Sequence, residues 1–115
     1  MKYLCLMYCE GKRFDEMSAA ELAAFQAACK AYDEKMTASG HQLQAQALES
    51  TQTAMTVRVR GAKLSVTDGP FAETKEMLCG FVLIEAADRE EAIRIATDEP
   101  FAKIGSVEVR PVMEF

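Results

Sequence analysis

Met77-Leu78-Cys79-Gly80-Phe81-Val82-Leu83-Ile84 carries no charged or strongly polar side chain at any position. In a strand, side chains alternate between two faces. Leu78, Gly80, Val82 and Ile84 then share one face and Met77, Cys79, Phe81 and Leu83 the other, so both need cover. The stretch Lys2 to Cys9 repeats the pattern, with Tyr3, Cys5, Met7 and Cys9 alternating with Leu4, Leu6 and Tyr8. Only two helices are readable in the chain. If both lie on one face of the sheet, the other face must be closed by a second subunit, and a homodimer is expected.

The first helix is predicted from Ser18, which caps it while Glu21 reaches back in a capping box. Leu22, Phe25, Cys29, Tyr32 and Met36 form its apolar stripe, and Gly40 ends it. The alanines between Ala19 and Ala31 favour helix on propensity alone. A second helix begins at Asp88, with Glu91 in the same box, buries Ala92, Ile95 and Ala96, and stops before Pro100. Between the helices, Gln42 to Leu48, Ala54 to Arg60 and Lys63 to Thr67 read as strands, the last two joined by a turn at Gly61. Val57 and Val59 alternate with Thr56, Arg58 and Arg60, which predicts a hairpin with one wet face. A final strand runs from Ser106 to about Met113. The element order is that of an α+β, ferredoxin-like βαββαβ unit with an antiparallel sheet and an extra hairpin strand. The 115 residues, half of them apolar, form one domain spanning 1–115.

A net charge of −5 with no basic cluster excludes a phosphate-backbone partner, so no nucleic acid is expected. The apolar run Tyr3 to Tyr8 is too short to span a membrane and has no signal-peptide cleavage site, which predicts a cytoplasmic protein. Cys5, Cys9, Cys29 and Cys79 lack metal-ligand spacing and sit in apolar surroundings. They read as reduced core residues, and no metal site is expected.

The chemistry-bearing segment is Asp68-Gly69-Pro70-Phe71-Ala72-Glu73-Thr74-Lys75-Glu76, a rigid turn followed by dense charge between two strands. Asp68 either accepts hydrogen bonds from the turn or faces a ligand. Phe71 reads first as a core anchor for the loop. Glu73, Lys75 and Glu76 are either a solvated ion-pair cluster or ligand contacts. Arg58, Arg60 and Arg110, on wet strand faces, are candidate partners for those carboxylates or for an anion. His41 is the one imidazole and so a candidate acid/base group, but it follows a helix stop, where its cation also suits the helix dipole.

Thr67 to Glu76, the following Gly80-Phe81, and Gly105-Ser106-Val107-Glu108-Val109-Arg110-Pro111-Val112 resemble the DGPF-domain proteins of the YCII-related group. The resemblance runs essentially the whole chain. It implies a dimeric α+β barrel in which two ferredoxin-like sheets pack face to face, and a fold similar to cofactor-free oxygenases, isomerases and ligand-sensing domains. It also implies a link to alternative sigma factors that is one of genomic neighbourhood. The wider group is proposed to pair a His near the first helix with an Asp before a Pro. Here Glu99 before Pro100-Phe101 supplies a carboxylate and no His lies near Ser18 to Tyr32, while Gln46 stands where the DGPF branch carries a Glu.

Two functions follow as expectations. One is a dimer that binds a small polar or aromatic ligand in a cleft by the DGPF loop, through Asp68, Phe71, Glu73, Lys75, Glu76 and Arg110, with a regulatory output. The other is a cofactor-free lyase, isomerase or oxygenase with Asp68 as base and His41 or Lys75 as acid.

Overall fold

Strand β1 (Lys2–Cys9) lies at the centre of the main sheet, with Tyr3, Cys5, Met7 and Cys9 buried and Leu4, Leu6 and Tyr8 half-buried. The computed structural model describes the whole chain, Met1–Phe115. β1 pairs antiparallel with β5 (Met77–Glu85) on one side and β6 (Ser106–Pro111) on the other. β2 (Gln42–Ala47) adds to the far edge of β5. The resulting order, β2-β5-β1-β6, is the ferredoxin-like arrangement expected from the sequence.

Helix α2 (Ala19–Ala38) starts with both bonds of the predicted capping box, Glu21 N–H to Ser18 Oγ at 3.1 Å and Ser18 N–H to Glu21 Oε1 at 3.2 Å. At the start of α3 (Arg89–Thr97), Asp88 caps as expected, but Glu91 takes the N–H of Ala87 rather than that of Asp88. Both helices cover the same sheet face. Met36 of α2 and Ala92 and Ile95 of α3 close over Tyr3, Cys5, Met7, Val82 and Ile84. The Tyr32 hydroxyl ties the two helices by donating to the Ile95 carbonyl at 2.7 Å. Two single-turn helices, α1 (Lys12–Asp15) and α4 (Phe101–Ile104), are too short to leave a periodic signature in sequence. They carry Phe14 and Phe101, which pack edge-on against each other and against Phe25, the three ring centroids 5.1 to 6.1 Å apart.

β3 (Met55–Arg60) and β4 (Lys63–Asp68) form a separate two-stranded sheet instead of joining the main one. Gly61 makes their turn at a positive φ of 62°. The expected wet face is inverted within one protomer. Met55, Val57, Val59, Leu64 and Val66 are 59 to 72% exposed, whereas Thr56 and Arg58, on the polar side, are half-buried against the following loop. The apolar side of the hairpin and the Leu4, Leu6, Phe81 and Leu83 side of the main sheet are both without helical cover. The molecule is correspondingly flat, 47 × 45 × 20 Å, with a radius of gyration of 16.1 Å. A compact chain of this length would have about 13 Å.

β6 is entered through Gly105, where an added Cβ would overlap the Tyr8 carbonyl oxygen and sit 2.9 Å from Cys9 Cβ. Neither atom can yield without moving β1. Gly105→Ala is expected to lose about 1–3 kcal/mol in urea denaturation. Gly11→Ala should lose less, because its added carbon meets only the mobile end of Met77 at 2.5 Å.

Candidate functional site

The loop after β4 turns at Gly69, whose φ of 104° suits glycine. Three bonds hold it to the hairpin: Gly69 N–H to Ala54 O at 2.7 Å, Thr56 Oγ1 to Gly69 O at 2.8 Å, and Arg58 Nη2 to Phe71 O at 3.2 Å. A 3-10 turn at Thr51–Thr53, capped by Ser50, faces this loop. Between the segments 48–57 and 69–78 lies a cleft of about 1190 Å³, bordered also by Tyr8 of β1. Phe71, Glu73 and Glu76 line it together with Met77 and Leu78.

Phe71 is 76% exposed and anchors nothing in the core, contrary to the sequence expectation. The hairpin stands away from the body, so no core lies beneath the loop. Asp68 ends β4 opposite Met55, is exposed, and lies outside the cleft lining. Its expected role in fixing the turn is taken by Ala54 and Thr56. Glu76 accepts from Ser106 Oγ at 3.1 and 3.3 Å, which ties the end of the loop to β6. Lys75 turns away to pair with Glu10 at 3.4 Å while 85% exposed. Arg110 lies opposite Leu4 on the uncovered face of the main sheet.

His41 sits at the end of α2, its Nδ1 2.8 Å from Ser39 Oγ and its Nε2 3.5 Å from the Glu91 carboxylate. Those contacts link α2 to α3. No hydrogen bond or ion pair links Asp68, His41 and Lys75 within the protomer: Asp68 ends β4, His41 contacts Ser39 and Glu91, and Lys75 pairs with Glu10.

A second cavity, about 400 Å³, lies between α2 and the β2 edge of the sheet and is lined in part by Cys29, Tyr32, Gln42, Cys79, Glu99 and Phe101. Glu99 is only 5% exposed, and the Phe101 N–H donates to its Oε1 at 3.4 Å. Burial pushes its carboxyl above the usual carboxylate range, the Phe101 hydrogen bond pulls it back, and nearby Asp33 raises it again. Burial, with Glu99 adding to it, likewise raises the Tyr32 phenol and lifts the Cys29 and Cys5 thiols to about 11. Gln42 donates from Nε2 to the Asp33 carboxylate, leaving its buried Oε1 without a partner. When protonated, Glu99 offers the cavity a hydrogen-bond donor, and Gln42 offers an acceptor. The sequence signal for this site was Glu99 before Pro100-Phe101; nothing in the local pattern marked Tyr32 or Gln42 as its neighbours.

The sheet order, the one-sided helical cover and the two cavities define an antiparallel α+β domain of ferredoxin-like class. The YCII-related domain model matches residues 1–115, and the chain belongs to the YCII-related family. It is 48% identical over 67 residues to an uncharacterized protein of Rhizobium meliloti (strain 1021), covering 56% of this chain and 54% of that one. The chain thus matches about half the length of that curated relative. Among solved structures it is similar to the 5-chloro-2-hydroxyhydroquinone dehydrochlorinase of Burkholderia phenoliruptrix AC1100 in complex with 2,5-dihydroxybenzoquinone. That match has a TM-score of 0.57 at 18% identity and covers 100% of this chain and 96% of the other.

A carboxyl raised in the folded state favours the protonated fold. Glu99 therefore stabilises the protein relative to higher pH below its ordinary value of 4.5, and this advantage is lost as pH rises through the folded value. Glu99→Gln is expected to flatten the fall in melting temperature across that window and to melt above wild type at pH 8, as read by calorimetry.

Proposed function

We propose that the protein is a small-molecule-binding homodimer whose ligand, small and polar or aromatic, occupies the cleft beside the Gly69 to Thr74 loop. The cleft itself carries this reading. It joins an apolar floor from Tyr8, Met77 and Leu78 to an exposed aromatic, Phe71, and to the carboxylates of Glu73 and Glu76. Such a mixture of apolar lining and a few placed polar groups is the common composition of ligand sites. The loop is hydrogen-bonded to the hairpin, so binding orders little new chain. A regulatory output, reporting the level of a metabolite, fits a site with no assembled catalytic group in the cleft.

Dimerisation is supported by the two uncovered apolar faces. A hairpin with five large aliphatic side chains more than half exposed is an interaction surface. Val82 and Leu83 sample opposite faces of β5, the first buried under the helices and the second on the open side. Val82→Glu is expected to unfold the protein, since an unpaired buried charge costs several kcal/mol. Leu83→Glu is expected to yield folded monomer in sedimentation. A wild-type protein that sediments as a stable folded monomer at micromolar concentration would end the dimer reading.

A second reading, a cofactor-free enzyme acting on a hydroxylated aromatic, is favoured by Glu99, buried in its own cavity with its carboxyl raised by desolvation, and by the fold shared with a dehydrochlorinase. In that reading the acid/base group is Glu99, in place of Asp68 with His41 or Lys75.

The two are separated by calorimetric titration with 2,5-dihydroxybenzoquinone and related hydroxylated aromatics. For binding in the loop cleft, Phe71→Ala and Glu73→Gln each weaken affinity about tenfold, equal to about 1.4 kcal/mol, while His41→Ala leaves it unchanged. For the enzyme, turnover falls by about 10² or more in Glu99→Gln and the loop variants change little.

A further inference from the structure

Cys9 closes β1, and Cys79 is the residue of β5 left without a partner where the register slips between Met7 and Tyr8. The bulge brings their sulfur atoms to 2.9 Å. Non-bonded heavy atoms rest at about 3.5–4.0 Å, so the two thiols are in closer contact than ordinary packing gives. Cys9 is fully buried, whereas Cys79 is half-buried and borders the smaller cavity, through which a small reagent reaches it. Cys5 and Cys29 have no such sulfur contact.

We propose that Cys9 and Cys79 form a redox-active cross-strand dithiol, closed to a disulfide by a peroxide-class oxidant and reopened by a thiol. Cys79 loses its proton and attacks one peroxide oxygen; the O–O bond breaks, water leaves, and Cys79 carries a sulfenic acid. The Cys9 sulfur then displaces the hydroxyl group, which departs as a second water with the Cys9 proton. Two thiols and one hydrogen peroxide give one disulfide and two waters. Cys79, half-buried beside the smaller cavity, is placed to meet the oxidant, and Cys9, its sulfur 2.9 Å away, is placed to resolve the sulfenic acid. Burial, the hydrogen bond to Cys79 and the nearby Glu76 carboxylate push the Cys9 thiol up to about 12, so Cys9 keeps its proton until the sulfur–sulfur bond forms. In a reducing compartment, bridges of this kind are transient and redox-sensing.

The closed form would staple β1 to β5 immediately beside Met77 and Leu78, which line the loop cleft.

The test is to reduce the protein, expose it to hydrogen peroxide, block remaining thiols with an alkylating reagent and map the peptides. The expected product is an intramolecular Cys9–Cys79 bridge, reversed by dithiothreitol, with Cys5 and Cys29 alkylated. Cys9→Ser should leave a Cys79 sulfenic acid that dimedone traps, and Cys79→Ser should leave Cys9 alkylated after unfolding. Four alkylated cysteines after peroxide treatment, a bridge between chains, or a bridge using Cys5 or Cys29 would each overturn the proposal. The wild-type mapping decides the matter even if a variant fails to fold.

Discussion

Every strand of the main sheet hydrogen-bonds to β1 or to β5, and these two hydrogen-bond to each other from Lys2 opposite Glu85 to Cys9 opposite Met77. That antiparallel pair sets the rest. Its one face, through Tyr3, Cys5, Met7, Val82 and Ile84, is the surface on which α2 and α3 settle. Its other face remains open in the protomer. At its far end the register slips by one residue, and this slip places Cys79 against Cys9. The close approach of Gly105 to Tyr8 and Cys9 belongs to the same corner, where the last strand enters.

The two cavities lie on different sides of this framework and differ in electrostatics. The loop cleft holds carboxylates that remain in contact with water, beside an exposed aromatic. The smaller cavity holds a carboxyl that burial drives toward its neutral form, and with it a phenol and a thiol held protonated. Water screens and solvates the first set, so its charges contribute mainly to selecting a ligand. The second set is desolvated, and burial favours the protonated form of each of its three groups.

Strand and helix identity were legible from the chain because they depend on local periodicity. The doubly apolar runs at Lys2 to Cys9 and Met77 to Ile84, the capping box at Ser18 and Glu21, and the buried Ala92, Ile95 and Ala96 all appear where the pattern put them. The expectation failed where a residue's environment is set by elements distant in sequence. Phe71 is a large aromatic after a rigid turn, which alone reads as an anchor, yet the hairpin carries it away from any core. Val57 and Val59 alternate correctly, and the protomer nevertheless leaves them in water while half-burying Arg58.

By itself the sequence determined the α+β class, the order of the strands and the two long helices, the Ser18–Glu21 capping box and the family, since those follow from alternation, propensity and motif over a few residues. Tertiary structure alone decided that Glu99, Tyr32 and Gln42 share a cavity, that His41 joins two helices, that Lys75 leaves the loop for Glu10, and that two cysteines 70 positions apart touch. Proximity between such residues comes from strand register and helix placement. Desolvation comes from the closed packing of the whole chain, and no local run of residues carries either quantity.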